Sequence, residues 1–187
     1  MKKLILFLLA VITAISFCGC QKSVNKSETK NSNVFNYEEK AIEALTEMIT
    51  NAADVESLGN IIQAVWGNSI YQKKDDTTDA YTLDANGNFN DDFNTSLSNF
   101  FASDTYSAQE EKISKSNEKI VSLMKELNNP PEEYKERYND IKKLYLKCTE
   151  LSSCVLGCSG SYNDFTEKFN TLDSETVQIY NEIKINF

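Results

Sequence analysis

Five cysteines, 28 carboxylates and no histidine define the chemistry open to this chain of 187 residues. Without imidazole there is no Ser-His-Asp or Cys-His nucleophile and no His-containing zinc site. A ferritin-like di-iron site fails as well, since its Glu-x-x-His elements need the same ring. Cys18 and Cys20 close an apolar run at the N-terminus, while Cys148, Cys154 and Cys158 lie far along the chain. The latter three lack the fourth ligand of a structural zinc site. Cys148 falls on the apolar seam of a helical pattern, where a small buried thiol is the ordinary reading. Cys154 and Cys158 stand four apart, so a regular helix would hold their Cβ atoms ~5 to 6 Å apart, beyond disulfide reach. A bridge between them requires unwinding at Gly157, where the helix is expected to end; two free thiols are the alternative.

Carboxylate pairs occur at Glu38-Glu39, Asp75-Asp76, Glu110-Glu111 and Glu132-Glu133. Acid-base work needs burial or a shared cleft to split the two pKa values, and these pairs sit in polar segments that read as solvated helix faces and starts. Asp84, Asn86, Asn88, Asn90 and Asp91 offer oxygens to a calcium ion, but the spacing departs from an EF-hand. Gly87 is fourth from Asp84 where the sixth position needs Gly, and Thr95 stands where the twelfth needs Glu. Trp66, Tyr71, Tyr81, Phe89, Phe93, Phe100, Phe101 and Tyr106 crowd around the same stretch among Asn and Asp. Rings beside amides and carboxylates suit stacking on a sugar or peptide, and Trp66, Tyr71, Tyr81 and Phe89 are the candidate ligand or partner site. The alternative is a plug of aromatic side chains closing one end of the core.

The elements that must position these groups are helical. Ile42, Leu45, Met48, Ile49, Ala52, Leu58, Ile62, Val65 and Trp66 recur at three and four, predicting a first helix of about 35 residues from Tyr37 toward Tyr71. Gly59 and Gly67 interrupt it, each marking a kink, an early end or a close packing contact. Residues 72–91 carry no helical period, and Asn86-Gly87 is a turn signal for a small hairpin. A second helical region starts at Asp91 or Asp92 and breaks or kinks at Ser103-Asp104, continuing to Asn128. Asn129-Pro130-Pro131-Glu132-Glu133 is a boundary, with Pro and two acids suited to a new helix start. Tyr134, Tyr138, Ile141, Tyr145, Cys148 and Val155 form the next seam, with Leu144 and Leu151 on its shoulder. Ser161 and Asp164 cap a last helix carrying Phe165, Phe169, Leu172, Ile179 and Ile183. The expected fold is all-α, an antiparallel bundle of three or four long helices with one irregular loop segment.

Ahead of this body stand Met1-Lys2-Lys3 and an apolar run of about 14 residues from Leu4 to Phe17, too short to span a membrane comfortably. With Ser16-Phe17-Cys18-Gly19-Cys20 at its end, the run resembles a bacterial lipoprotein signal peptide. The resemblance implies cleavage after the small Gly19 and a diacylglycerol thioether on Cys20. Phe17 departs from the Leu usual in such signals. An ordinary secretory signal or short N-terminal anchor is the alternative, and either also directs the chain out of the cytoplasm. Residues 20–33 then read as the lipidated cysteine and a polar tether, and 34–187 as the helical domain. The NPPEEY run, the tyrosine-rich helix after it and the capped last helix resemble uncharacterised small helical lipoproteins of Gram-positive bacteria. That resemblance covers about the last third of the chain and implies no activity.

Processing leaves 168 residues, and loss of Lys2 and Lys3 leaves 17 basic against 28 acidic side chains, a net charge of −11. Such a charge repels nucleic acid, and the interspersed bases form no patch for anionic lipid. The expectation is a membrane-anchored, extracytoplasmic, non-enzymatic binding module with no cofactor, meeting an envelope protein or a small ligand. An accessory subunit of an envelope complex is the alternative, and an unrecognised hydrolase the third reading.

Overall fold

A computed structural model describes residues 28–185, with side chains from 36 to 184. The expected signal peptide, Cys20 and the first part of the tether lie outside the described residues. Six helices pack together: α1 Glu28–Tyr71, α2 Asp79–Thr82, α3 Phe93–Phe101, α4 Asp104–Glu126, α5 Lys135–Leu156 and α6 Tyr162–Ile185. Among the described residues there is no strand, only an isolated antiparallel bridge between Leu83 and Phe89.

Helix α1 is the axis of the molecule and packs against every other helix. Its 44 residues correspond to a length of ~66 Å. It begins at Glu28, so residues 28–33, expected in the tether, belong to the helix. Neither glycine ends it, because each admits a ring. A Cβ at Gly59 would run into the Phe169 ring, and one at Gly67 would lie 2.8 Å from Tyr162 Oη. These two contacts fix α1 and α6 as antiparallel neighbours, and ring burial offsets the ~1 kcal/mol that each mid-helix glycine costs. The helix stops one turn later than Gly67-Asn68. Gln72 takes a left-handed φ of 50° and Lys73 N–H reaches back 3.0 Å to the Asn68 carbonyl, a C-terminal cap with glutamine where glycine is usual.

Polar contacts set the direction of the other neighbours. Lys40 meets Glu126 at 2.6 Å, Lys119 meets Glu47 at 2.8 Å and Lys112 meets Asp54 at 2.7 Å, so α4 runs antiparallel to α1. These pairs are partly exposed and each contributes little, but together they admit one register. Inside that edge Asn51 donates to Asn117 Oδ1 at 2.7 Å, and Ser152 of α5 donates to the same atom at 3.4 Å. Helix α6 starts at Tyr162 just after α5 ends at Leu156, and Lys147 on α5 still meets Glu175 on α6 at 2.9 Å, so that pair is antiparallel too. The core between them includes Val55, Ile62 and Val65 of α1, Ile113 of α4, Ile141, Leu144 and Leu151 of α5, and Phe169 of α6, all essentially inaccessible.

Two seam assignments shift. Leu144 and Leu151, expected on the shoulder of α5, are fully buried, while Tyr138 and Tyr145 are only half-buried. The phenol explains the exchange, since its hydroxyl needs a polar partner: Tyr138 donates to Asn128 Oδ1 at 2.9 Å. On α1, Ile42 is exposed and Ala41 and Ala44 take the buried positions, where small residues let the neighbours approach closely.

Candidate functional site

The C-terminal end of α1 meets the start of α3 and the start of α6. Asp92 caps α3 by accepting from Asn94 N–H at 2.9 Å. Ser161 caps α6: its Oγ accepts from Asp164 N–H at 3.2 Å and donates to Asp164 Oδ2 at 2.7 Å. Both caps place an aromatic residue in the first position of the helix, Phe93 and Tyr162. The result is a row of four rings. Tyr71 meets Tyr162 edge-on at 6.2 Å, Tyr162 meets Trp66 at 6.0 Å, and Trp66 stacks on Phe93 at 6.0 Å. Phe165 supports Trp66 from below at 6.0 Å and stacks on Phe169. The middle of the row is buried, with Trp66 at 3% exposure, and its ends are open: Tyr71 at 69% and Phe93 at 37%, beside Ile70 at 40%. Trp66 Nε1 is buried without a hydrogen-bond partner among the described residues, a cost of about 1 to 3 kcal/mol.

Trp66 and Tyr71 therefore share this end, and Tyr81 and Phe89 stand elsewhere. Tyr81 meets Phe100 at 5.0 Å, in a second set with Phe101 and Tyr106. Phe89 is half-buried in the small hairpin, paired with Leu83. Phe93 lay inside the aromatic stretch of the sequence. Tyr162 and Phe165 lie 96 and 99 residues beyond Trp66 in the chain, and only the antiparallel return of α6 brings them to it.

The irregular stretch is a polar-stitched loop. Gly87 has a φ of 78° in the turn, and Asp84 Oδ1 accepts from Asn86 and Asn88 N–H at 2.9 Å each. Those backbone bonds, that from Asn88 first, hold the Asp84 carboxyl below the usual range. Asp75 is lowered by the Thr77 hydroxyl and N–H, and Asp92 by Asn94 N–H. Behind the hairpin, buried Asn68 donates to Thr78 Oγ1, Ser69 and Ser96 share a hydrogen bond at 2.9 Å, and Asn90 Nδ2 donates to Ser96 Oγ and to the Tyr81 carbonyl. These bonds fix the loop to α1 and α3.

Other candidates for chemistry are accounted for by their surroundings. Cys148, Cys154 and Cys158 are free thiols. Helix α5 continues to Leu156, and Gly157 N–H still bonds the Ser153 carbonyl, so the backbone between Cys154 and Cys158 is not unwound for a bridge. Burial pushes Cys148 up to about 12 and Cys158 up to about 11, and raises Cys154, so that burial disfavours the thiolate at each. Glu38 accepts from Tyr134 Oη, Glu111 pairs with Lys115 and Glu132 with Lys135. Two carboxyls that sequence adjacency did not single out are perturbed. Burial raises Glu56 on α1, with Asp173 as the next cause, and burial raises Asp173 on α6. Glu56 Oε2 is buried without a partner, as are Gln63 Nε2 and Thr166 Oγ1, which flank the Gly59–Phe169 contact on the same two helices.

Among the described residues no group of three or more Cys, Asp or Glu converges to hold a metal ion, and no helix is long and apolar enough to cross a membrane. No family model, no curated protein and no solved structure matches the chain.

Proposed function

We propose that this chain is a non-enzymatic binding module held on the extracytoplasmic face of a membrane by a diacylglycerol on Cys20, and that the end of α1 at Tyr71 is its binding end. Its framework is an antiparallel bundle of four long helices, α1, α4, α5 and α6, with α2, α3 and the hairpin bracing one end. The observation that carries the reading is the ring row Tyr71, Tyr162, Trp66 and Phe93, buried at its centre and open at both ends. Such a row exposes large aromatic side chains with only two side-chain torsions each, so little conformational entropy is lost when a partner covers them. The row lies at the opposite end of α1 from the residues that lead back toward Cys20, so α1 acts as a spacer of ~66 Å. Tethering raises the effective concentration of that end toward partners in the same thin layer.

The test is a photo-crosslinking amino acid placed at position 71 in the full chain on intact cells, compared with position 146 on the exposed side of α5. A discrete crosslinked species at 71 and not at 146, with Cys20→Ala releasing the chain from membranes, supports the reading. Equal labelling at both sites defeats the binding end, and membrane retention of Cys20→Ala defeats the anchor.

A further inference from the structure

The binding end carries a charge pattern that selects its occupant. Residues 70–94 and 160–168, which include three of its rings and the loop beside them, hold eight carboxylates, four of them in that loop, against three lysines. Asp91 and Asp92 are exposed directly before Phe93, and Asp164 is exposed two residues after Tyr162. Two of these carboxylates are held in place: Asp92 accepts from Asn94 N–H at the start of α3, and Asp164 accepts from the Ser161 hydroxyl at the start of α6. One of the three lysines is engaged locally, Lys74 Nζ donating to the Gly87 carbonyl at 3.1 Å. Open aromatic rings on segments that also carry exposed carboxylates complement a cation carried on an apolar stem: the ring takes the stem and the π face, and the carboxylate takes the charge.

We propose that the occupant of this end is a cationic polypeptide segment in which Arg or Lys alternates with apolar residues, lying across the open rings Tyr71 and Phe93 and the part-exposed Tyr162. This rests on the binding-module reading above. Phosphate-bearing polymers and anionic headgroups meet repulsion from the same carboxylates. An uncharged sugar could use the rings but would leave the charge pattern without a role.

The full chain in neutral detergent micelles is titrated against a fluorescent nonapeptide of alternating Arg and Leu, and against its counterpart with Glu for Arg, by anisotropy. The Arg peptide binds, with affinity falling as salt approaches ~0.15 M, and the Glu peptide does not. D91N/D92N keeps the α3 cap, because Asn caps as well as Asp, and weakens binding about tenfold. Tyr71→Ala weakens it by a similar factor, while E132Q/E133Q, which removes the same charge at the other end of the bundle, leaves it unchanged. Equal weakening by the two charge variants means that net charge alone attracts the peptide, and overturns the proposal. A position-71 crosslink on cells together with no binding of the Arg peptide overturns the cationic occupant and leaves the binding end standing. Loss of both removes the binding end itself.

Discussion

The molecule contains two aromatic sets of similar composition and opposite finish. Tyr81, Phe100, Phe101 and Tyr106 pack in contacts of 5.0 to 5.9 Å around Phe100, which is inaccessible, under a loop whose buried polar groups are stitched together. Trp66, Phe93, Tyr162 and Tyr71 sit at 6.0 to 6.2 Å, with two rings open to water and an indole N–H unpartnered. The first set is closed by its own neighbours. The second sits above an α1–α6 seam where Gln63, Thr166 and Glu56 also keep unpartnered buried atoms. Aromatic residues alone therefore do not distinguish a plug from a surface; completed contacts and satisfied hydrogen bonds do.

The sharpest way to break the comparison is to empty the closed set. Phe100→Ala leaves a cavity under the loop and should cost ~3 to 5 kcal/mol, read as a fall in the urea midpoint at constant slope. Arg-peptide binding, measured well below the transition, should persist. If Phe100→Ala were nearly neutral, the first set would not be core, and the contrast would collapse.

How much of this was legible depends on the range of the interaction. Helix existence, the Pro130-Pro131 boundary, the Ser103 break, the Asn86-Gly87 turn and the Ser161 cap are local, and the residues that make them are neighbours in sequence. The continuity of α1 through Gly59 and Gly67 was not, because the reason for it is Phe169 and Tyr162, about 100 residues away. For the same reason Trp66 and Tyr71 were visible as candidates while Tyr162 and Phe165 were not. Tyr81 and Phe89 were grouped with Trp66 by proximity in sequence, and the loop turns them to a different packing partner. The carboxyls raised by burial, Glu56 and Asp173, belong to different helices, so no pairing of adjacent acids in the sequence marks them.

Those carboxyls give a smaller effect with a definite sign. Both sit above the ordinary carboxylate range because burial penalises the charged form. The folded state thus holds these protons more tightly than the unfolded chain. The stabilisation is complete below the unfolded pKa near ~4 and is lost as pH rises through the folded values. Melting temperature should therefore fall from mildly acidic to neutral pH. General repulsion in an acidic chain has the same sign, so the diagnostic is the difference from Glu56→Gln, which should flatten the profile and raise the melting temperature at neutral pH. A variant profile parallel to that of the parent would mean that Glu56 is solvated and the seam is not strained.

The smallest expected effect on stability is the one that bears most on function. Tyr71 is the last residue of α1, 69% exposed, with its ring edge-on to Tyr162. Truncation there removes little buried area and leaves no cavity, so Tyr71→Ala should change unfolding free energy by no more than about 0.5 kcal/mol. If the ring were core, as Phe100 is, the same truncation would cost several times more. Stability and binding should then separate between the two sets: Phe100→Ala destabilises the fold without selectively weakening binding, and Tyr71→Ala weakens binding without destabilising the fold. A Tyr71→Ala chain that keeps both its melting temperature and its peptide affinity would show the open row to be an unused face, and the reason for placing the binding end there would be gone.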